Sequence, residues 1–143
     1  VQTDVKPVQE VFVCTREFSG LLGRSIALAE LEPYPLITLG PGTTSYSFYS
    51  AAFAAQGVPF HPAIEAATAD QIIPMAEAGL GIGIVPQEFL HPGDDVCTIA
   101  LVQPLPPRAV CLVKRRGQPL SLAARELEHM LLAAGSAAQT TGR

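Results

Sequence analysis

The chain of 143 residues (15.1 kDa) is 48% hydrophobic and only 15% charged, so it can bury the core of one domain, or of one domain and part of a second. A net charge of −4 and an isoelectric point near 5.3 exclude phosphate binding on nucleic acid as its main role, because such binding needs many Lys and Arg contacts. No apolar run reaches the roughly 20 residues of a membrane helix, and the first residues lack a basic region followed by an apolar one, so we expect neither a membrane span nor a signal peptide.

The chain opens with a polar segment and a short strand. Residues 1–10 are mostly polar and include a proline, which predicts an irregular lead-in, and residues 11–15 (VFVCT) are β-branched and apolar, which predicts a strand. The three cysteines, Cys14, Cys97 and Cys111, are widely spaced and set in apolar sequence. They are typical of buried free thiols in a reducing compartment rather than of a disulfide framework or a zinc site.

Two strand-to-helix units follow. In the first, the apolar residues 36–39 predict a buried strand, a glycine turn follows, and residues 44–56 place apolar side chains at helical spacing until Gly57. The second unit has an extended segment, a helix, a closing glycine and an apolar third strand, at residues 62–66, 71–78, 79 and 80–85. Strands that alternate with helices across short turns predict a parallel, doubly wound sheet.

The last third of the chain predicts two strands, a helix and a tail. Residues 96–102 and 109–113 are extended and apolar, with a proline-rich link between them. Ser121 is a typical helix cap, and the helix after it is expected to turn four apolar side chains inward: Leu122, Leu127, Met130 and Leu131. Residues 134–143 are small and polar, which predicts a disordered tail.

The starts of the two central helices are the candidate binding sites. A helix N-terminus carries unpaired backbone N–H groups and a partial positive charge, and Gly40 and Gly42 allow a ligand close to the backbone. Hydroxyl groups add hydrogen-bonding capacity, from Thr43, Thr44 and Ser45 at the first start and from Thr68, in front of Ala69, at the second. Because helices of a parallel sheet begin at the carboxyl ends of strands, both starts are expected to face one crevice and to bind a carboxylate or another small anion. The alternative is that single hydroxyls only cap their helices.

No pattern in the chain predicts a catalytic, metal or cofactor site. The glycine spacing of GLGIG is like that of a dinucleotide motif, but it leads from a helix into a strand, which reverses the context of that motif and predicts a helix cap and a closely packed strand. Ser45 lacks the second glycine of a nucleophile elbow. His61, His91 and His129 are scattered, so neither a triad nor a metal set can be assembled, and we expect neither an enzyme nor a cofactor.

The order of these elements resembles a known family. The segment ITLGPGTTSYSFYSAAFAAQGVPFHPAIEAATADQIIPMAEAGLGIGIVPQEFL resembles the effector-binding domain of LysR-type transcriptional regulators, in which a helix, a G-V-x-P turn, an extended segment, a helix ending in A-G-x-G-I and a strand ending in V-P recur in this order. The resemblance implies an α/β fold like that of type II periplasmic binding proteins, with one complete Rossmann-like lobe (residues 18–97) and part of another (residues 1–17 and 98–133). It also implies effector contacts from both helix starts and from Thr15 near the crossover.

The resemblance further implies a biological role. Domains of this family bind a small metabolite between their lobes and modulate transcription, with DNA bound by an N-terminal winged helix-turn-helix that we do not expect within these residues. We therefore expect an N-terminally truncated, cytoplasmic effector domain that forms a dimer or tetramer, and an incomplete first lobe would account for the mean hydropathy of +0.30. Two alternatives share the fold: a solute-binding protein, and an enzyme similar to prephenate dehydratase, whose Thr-Arg-Phe motif is interrupted here by Glu17.

Overall fold

The computed structural model describes residues 1–140, with side chains up to residue 136. The chain forms two compact units, one of Gln9–Pro106 and one of Val1–Val8 together with the chain from Pro107 onward. The lobe boundaries expected from the resemblance, after residues 17 and 97, are not the boundaries of these two units and stay a prediction. Within the described part of the chain, no helix has both the length and the hydropathy to cross a membrane.

The described residues contain strands, three α-helices and short 3₁₀ turns. The strands are β1 (Gln2–Val8), β2 (Glu10–Cys14), β3 (Ser25–Ile26), β4 (Leu36–Leu39), β5 (Ile64–Ala66), β6 (Ile82–Pro86), β7 (Cys97–Leu101) and β8 (Arg108–Val113). The α-helices are α1 (Thr44–Ala55), α2 (Ile72–Glu77) and α3 (Leu122–Thr140). The 3₁₀ turns are Arg16–Leu21, Leu28–Leu31, Ala69–Gln71 and Gln87–Phe89. The predicted alternation of strands and helices from β4 to β6 is confirmed.

The larger unit is built on a six-stranded sheet in the order β3-β7-β2-β6-β4-β5. β4 lies parallel to both β5 and β6, as the strand-to-helix pattern predicts. β2 runs antiparallel to β6 and pairs on its other side, also antiparallel, with β7. The sheet is therefore mixed, because β2 and β7 come from outside the two strand-to-helix units.

The sheet is buried on both faces, because successive side chains of a strand point in opposite directions. In β2, Phe12 packs in one apolar cluster with Phe53 of α1, and Val13 packs in a second cluster with Ile72 of α2. Both β2 side chains are almost completely buried, at 1% and 0% exposure. α1 and α2 thus contribute to different clusters, which is how a doubly wound sheet hides both of its surfaces.

Two glycines near the start of β6 allow its neighbours to approach closely. A Cβ on Gly83 would lie 2.7 Å from Ile72 Cγ2, and a Cβ on Gly81 would overlap the carbonyl oxygen of Pro35. The same Pro35 oxygen accepts a hydrogen bond from the Ile82 N–H at 2.8 Å, which fixes the start of β6 beside β4. Together with the positive φ of 75° at Gly79 after α2, this confirms GLGIG as a helix cap and a closely packed strand.

The smaller unit consists of a two-stranded sheet and one helix. β1 pairs antiparallel with β8, with an irregularity between Asp4 and Lys6. α3 crosses β1 so closely that a Cβ on Gly135 would overlap the carbonyl oxygen of Val5. The expectation of an irregular lead-in is wrong for β1, because this polar segment acquires its extended form by pairing with a strand that lies about a hundred residues further along the chain.

α3 begins as predicted and ends later. Ser121 Oγ accepts a hydrogen bond from the Ala124 N–H at 3.2 Å, so the predicted cap is confirmed. The helix continues to Thr140, where the sequence predicts a disordered tail from residue 134. Its last turns are rich in alanine, the residue that favours helix most strongly, and residues 141–143 lie outside the described residues.

The four apolar side chains of α3 that were expected to face inward are exposed instead. Their exposed fractions are 83% for Leu122, 55% for Leu127, 62% for Met130 and 41% for Leu131. The helix contacts β1 closely around the buried Gly135. A sheet of two strands is too narrow to cover the rest of the apolar surface of the helix, so this part of the prediction is wrong.

We expect Gly81→Ala to lower the free energy of unfolding of the chain by about 2 kcal/mol or more, because the new Cβ would overlap a backbone oxygen that cannot move independently. Gly93→Ala is the matched control, since a Cβ there would meet nothing within 4 Å, and its effect should stay within about 0.5 kcal/mol. Urea denaturation followed by circular dichroism measures both. Equal stabilities for the two variants would contradict the close approach of Gly81 and Pro35.

Candidate functional site

All candidate residues except Thr15 lie at one edge of the six-stranded sheet, which we call the carboxyl edge because β4, β5 and β6 all end there. Leu39, the last residue of β4, is paired with Ala66, the last residue of β5. β2 begins at the same edge, since Glu10 is paired with Pro86 at the end of β6. The two predicted helix starts, which follow β4 and β5, therefore lie side by side, as their position in a parallel sheet predicts.

Thr43 forms the cap of the first helix start. Its Oγ1 accepts a hydrogen bond from the Tyr46 N–H at 3.1 Å and donates one to the Gly40 carbonyl oxygen at 2.9 Å. Gly42 has a φ of +88°, a conformation that favours glycine. Because its hydroxyl is engaged on both sides, Thr43 serves the local structure, in agreement with the capping alternative.

Thr44 is the first residue of α1 and differs from Thr43. It is exposed, and within residues 1–140 its backbone N–H has no hydrogen-bond partner. α1 has 12 residues, so its N-terminus carries the partial positive charge of a full helix dipole. Ser45 follows in the same turn and is partly buried. This start offers a ligand a backbone donor, a hydroxyl group and a favourable field for negative charge.

The second helix start is weaker. A 3₁₀ turn, Ala69–Gln71, precedes the six residues of α2, and the side chain of Thr68 makes no capping hydrogen bond. Gln71 Oε1 accepts a hydrogen bond from the Ala67 N–H at 3.1 Å, so part of the donor capacity in front of α2 is already used. Thr68 and Ala69 lie at the carboxyl edge as predicted, but in front of a helix too short to provide a strong dipole.

Thr15 does not join this edge. It follows the last residue of β2, and β2 runs away from the carboxyl edge, so that Val13 is already paired with Gly83 near the start of β6. At about 3.3 Å per residue, the five steps from Glu10 to Thr15 span roughly 16 Å. The Thr15 hydroxyl is buried and has no hydrogen-bond partner among the described residues. The expectation that it contacts a ligand together with the helix starts does not fit the direction of β2.

A buried carboxylate at the carboxyl edge was missed by the sequence analysis. Glu10 is only 3% exposed and accepts a hydrogen bond from the Tyr49 hydroxyl on α1 at 2.8 Å. Glu10 also lines an apolar cavity of about 260 Å³ with Phe12 and Ile99. An acidic residue at the end of a polar segment is normally exposed, so the sequence does not indicate that Glu10 is buried against Tyr49. This contact depends on the pairing of β2 with β6.

A second carboxylate lies beside the glycine turn. A Cβ built on Gly40 would come within 3.0 Å of Glu65 Oε2, which places this exposed carboxylate next to the turn in front of α1. Among residues 1–140, no group of three or more His, Cys, Asp or Glu side chains is arranged to hold a metal ion. The carboxyl edge thus combines a helix N-terminus, which carries a partial positive charge, with acidic side chains. Among the described residues these side chains do not form a metal-binding group.

The family is decided by comparison with known sequences, where the model of the LysR substrate binding domain matches residues 4–136. The chain belongs to this family. Its fold is that of a type II periplasmic binding protein, as the sequence analysis expected. The comparison with curated protein sequences gave no significant match.

Solved structures of LysR-family regulatory domains share the fold. The regulatory domain of CcmR from Synechocystis PCC6803, in complex with 2-PG, is 16% identical with a TM-score of 0.84, over 94% of this chain and 66% of that one. The effector-binding domain of QuiR in complex with shikimate is 16% identical (TM-score 0.81; 95% and 65% covered), and the cofactor-binding domain of the Cbl regulator is 20% identical (TM-score 0.78; 93% and 59% covered). The present chain therefore spans less than two thirds of each of these structures.

We expect Tyr49→Phe to lower the free energy of unfolding by about 1 to 3 kcal/mol, because it removes the hydrogen bond to the buried side chain of Glu10 and leaves that group without this donor. Tyr46→Phe, on the same helix, is the control: Tyr46 is only partly buried and packs edge-on against Phe60. That change should cost about 0.5 kcal/mol or less. Thermal and urea unfolding of both variants measure the difference, and similar losses would show that the hydroxyl of Tyr49 contributes nothing specific.

Proposed function

We propose that this domain senses a small anionic metabolite at the start of α1 and acts as the effector-binding part of a LysR-type transcription regulator. The observation that carries the proposal is Thr44, an exposed residue at the start of a 12-residue helix, whose backbone N–H has no hydrogen-bond partner within residues 1–140. Family membership supports a regulatory role rather than an enzymatic one. CcmR and QuiR, solved with 2-PG and shikimate, are examples of related domains in complex with small molecules.

The charges at the carboxyl edge restrict the chemistry of the proposed effector. The helix start favours a carboxylate or a similar anion, whereas Glu65 beside Gly40 accepts hydrogen bonds and repels a second negative charge. A ligand that satisfies both carries one anionic group and at least one hydroxyl or amine donor. We therefore propose a small hydroxylated or aminated organic acid, oriented with its anionic end on Thr44 and its donor toward Glu65.

The proposed mechanism of regulation is a population shift. An effector changes the activity of a regulator only if it binds one conformation more tightly than another. We propose that residues 18–97 act as the second lobe of the effector domain, that residues 1–17 and 98–133 contribute part of the first, and that the regulator works in the cytoplasm. DNA binding is assigned to a winged helix-turn-helix elsewhere in the full-length protein, so the present residues should show no salt-dependent affinity for DNA.

We expect Thr44→Pro to weaken binding of the effector about tenfold or more, because proline removes the backbone N–H that the anion needs. The helix itself should survive: proline is favoured at the first helical position, and Thr43 already has the extended conformation (φ −89°, ψ 151°) that a following proline requires. A thermal-shift screen of small organic acids identifies the ligand, and calorimetry then measures its affinity for each variant.

Thr44→Ala is the matched control, since it removes the hydroxyl group and retains the N–H. An unchanged affinity in Thr44→Ala together with a loss in Thr44→Pro would identify the backbone donor as the contact. Equal affinity of Thr44→Pro and the wild type for the same acid would place the effector elsewhere.

Self-association is the second part of the proposal. The four exposed apolar side chains of α3 lie in a unit whose two-stranded sheet has an unpaired outer edge on each strand within the described residues. Exposed apolar surfaces and open sheet edges of this kind mark interfaces. We propose that a second copy of this chain covers these side chains, giving the dimer or tetramer that the regulator needs.

We expect Leu127→Glu to lower the average mass of the particles in solution toward that of the monomer, because a charge in an apolar interface is costly to bury. Leu80→Glu is the matched control, as Leu80 is 50% exposed and Leu127 is 55% exposed, but Leu80 lies in the larger unit. Light scattering over a range of concentrations measures the mass. A wild-type chain that stays monomeric at high concentration would overturn the proposed assembly.

A further inference from the structure

Two of the three cysteines face each other across neighbouring strands. Cys14 is the last residue of β2, Cys97 is the first residue of β7, and the two are direct partners in the antiparallel register. Directly opposed residues of an antiparallel pair point to the same face of the sheet. Although 82 residues separate them in sequence, the two thiols therefore lie on one face, at the end of the strands away from the carboxyl edge.

The hydrogen-bond pattern of β2 gives the spacing of this pair. The Gln87 N–H donates to the Gln9 carbonyl oxygen at 2.9 Å, which marks Glu10 and Pro86 as a non-hydrogen-bonded pair. Because the pattern alternates along a strand, the backbone groups of Cys14 face β7, and its pair with Cys97 is hydrogen-bonded, with Cα atoms about 5.5 Å apart. This separation lies within the range of about 4.4 to 6.8 Å that disulfides span.

The two thiols differ in their surroundings. Cys14 is 0% exposed and packs in the apolar cluster with Phe12 and Ile99, whereas Cys97 is only partly buried. Burial, with a smaller contribution from Cys97, raises the pKa of the Cys14 thiol to about 11. A reagent from solution therefore meets Cys97 first, and Cys14 remains a protonated thiol behind it.

We propose that Cys14 and Cys97 form a reversible disulfide between β2 and β7 when the domain is exposed to a low-molecular-weight disulfide. The Cβ atoms of a directly opposed, hydrogen-bonded pair lie near the upper end of the range of about 4.5 to 5.5 Å, and a disulfide needs about 3.8 Å, so the strand ends must draw together by about 1.7 Å. A bond formed under this constraint is easily reduced again. The pair is a redox-sensitive modification site in the larger unit.

The exchange occurs in two balanced steps. The Cys97 thiolate attacks one sulfur of the small disulfide, whose S–S bond breaks and releases one small thiol, leaving a mixed disulfide on Cys97. Cys14 loses its proton and attacks the Cys97 sulfur, which breaks the mixed disulfide and releases the second small thiol. The two cysteines are oxidised by two electrons, the small disulfide is reduced to two thiols, and the protons from the cysteines end on those thiols.

Oxidised glutathione is the probe that tests the proposal. The full chain is incubated with mixtures of oxidised and reduced glutathione, its free thiols are alkylated, and it is digested without reduction for mass spectrometry. We expect a peptide pair linked through Cys14 and Cys97 that disappears on addition of dithiothreitol. A wild-type chain in which Cys97 stably retains glutathione, or in which Cys14 is recovered alkylated, would overturn the proposal.

Two variants test which cysteines form the link and in which order they react. Cys111→Ser, which changes the third cysteine in the smaller unit, should leave the link between Cys14 and Cys97 unchanged. Cys14→Ala should arrest the reaction at the mixed disulfide, so that Cys97 gains the mass of one glutathione. If Cys14→Ala does not fold, as circular dichroism would show, the wild-type peptide link still decides the question.

Discussion

The parallel pairing of β4 with β5 and β6 is the constraint on which the arrangement of the larger unit depends. Parallel neighbours must be connected by a segment that returns to the opposite end of the sheet, and a helix does this while covering one face. α1 and α2 therefore begin at the same carboxyl edge and contribute to different apolar clusters. Both the buried core and the position of the candidate site follow from this one pairing.

The close fit of β6 is what allows this arrangement to be compact. Gly81 and Gly83 have no side chains. The Pro35 carbonyl oxygen can therefore lie against the backbone of Gly81, and the Ile72 side chain can lie against the backbone of Gly83. The glycine pattern that is superficially like a nucleotide-binding motif thus serves packing. At its other end β6 pairs with β2, which places there the buried Glu10 that is hydrogen-bonded to Tyr49.

Several features could be predicted because they depend on nearby residues. The glycine closing α1 and the buried strand β4 are set by local backbone preferences and hydrophobic spacing, and both are found where the sequence places them. Other features depend on pairing over long distances. The identity of β1 as a strand and the position of Thr15 away from the helix starts follow from partners that the local sequence does not specify.

The sequence by itself determined the family, the order of the central elements and the two hydroxyl-bearing helix starts, because these follow from short-range spacing and from motifs such as AEAGLGIGIVP. Only the tertiary structure decided which groups share an edge or a face. It separated Thr15 from Thr44, buried Glu10 against α1, and placed Cys14 opposite Cys97. The physical reason is that β2 and β7 pair antiparallel across a long stretch of chain, and the register of such a pair is set by packing on both faces of the sheet rather than by either strand alone.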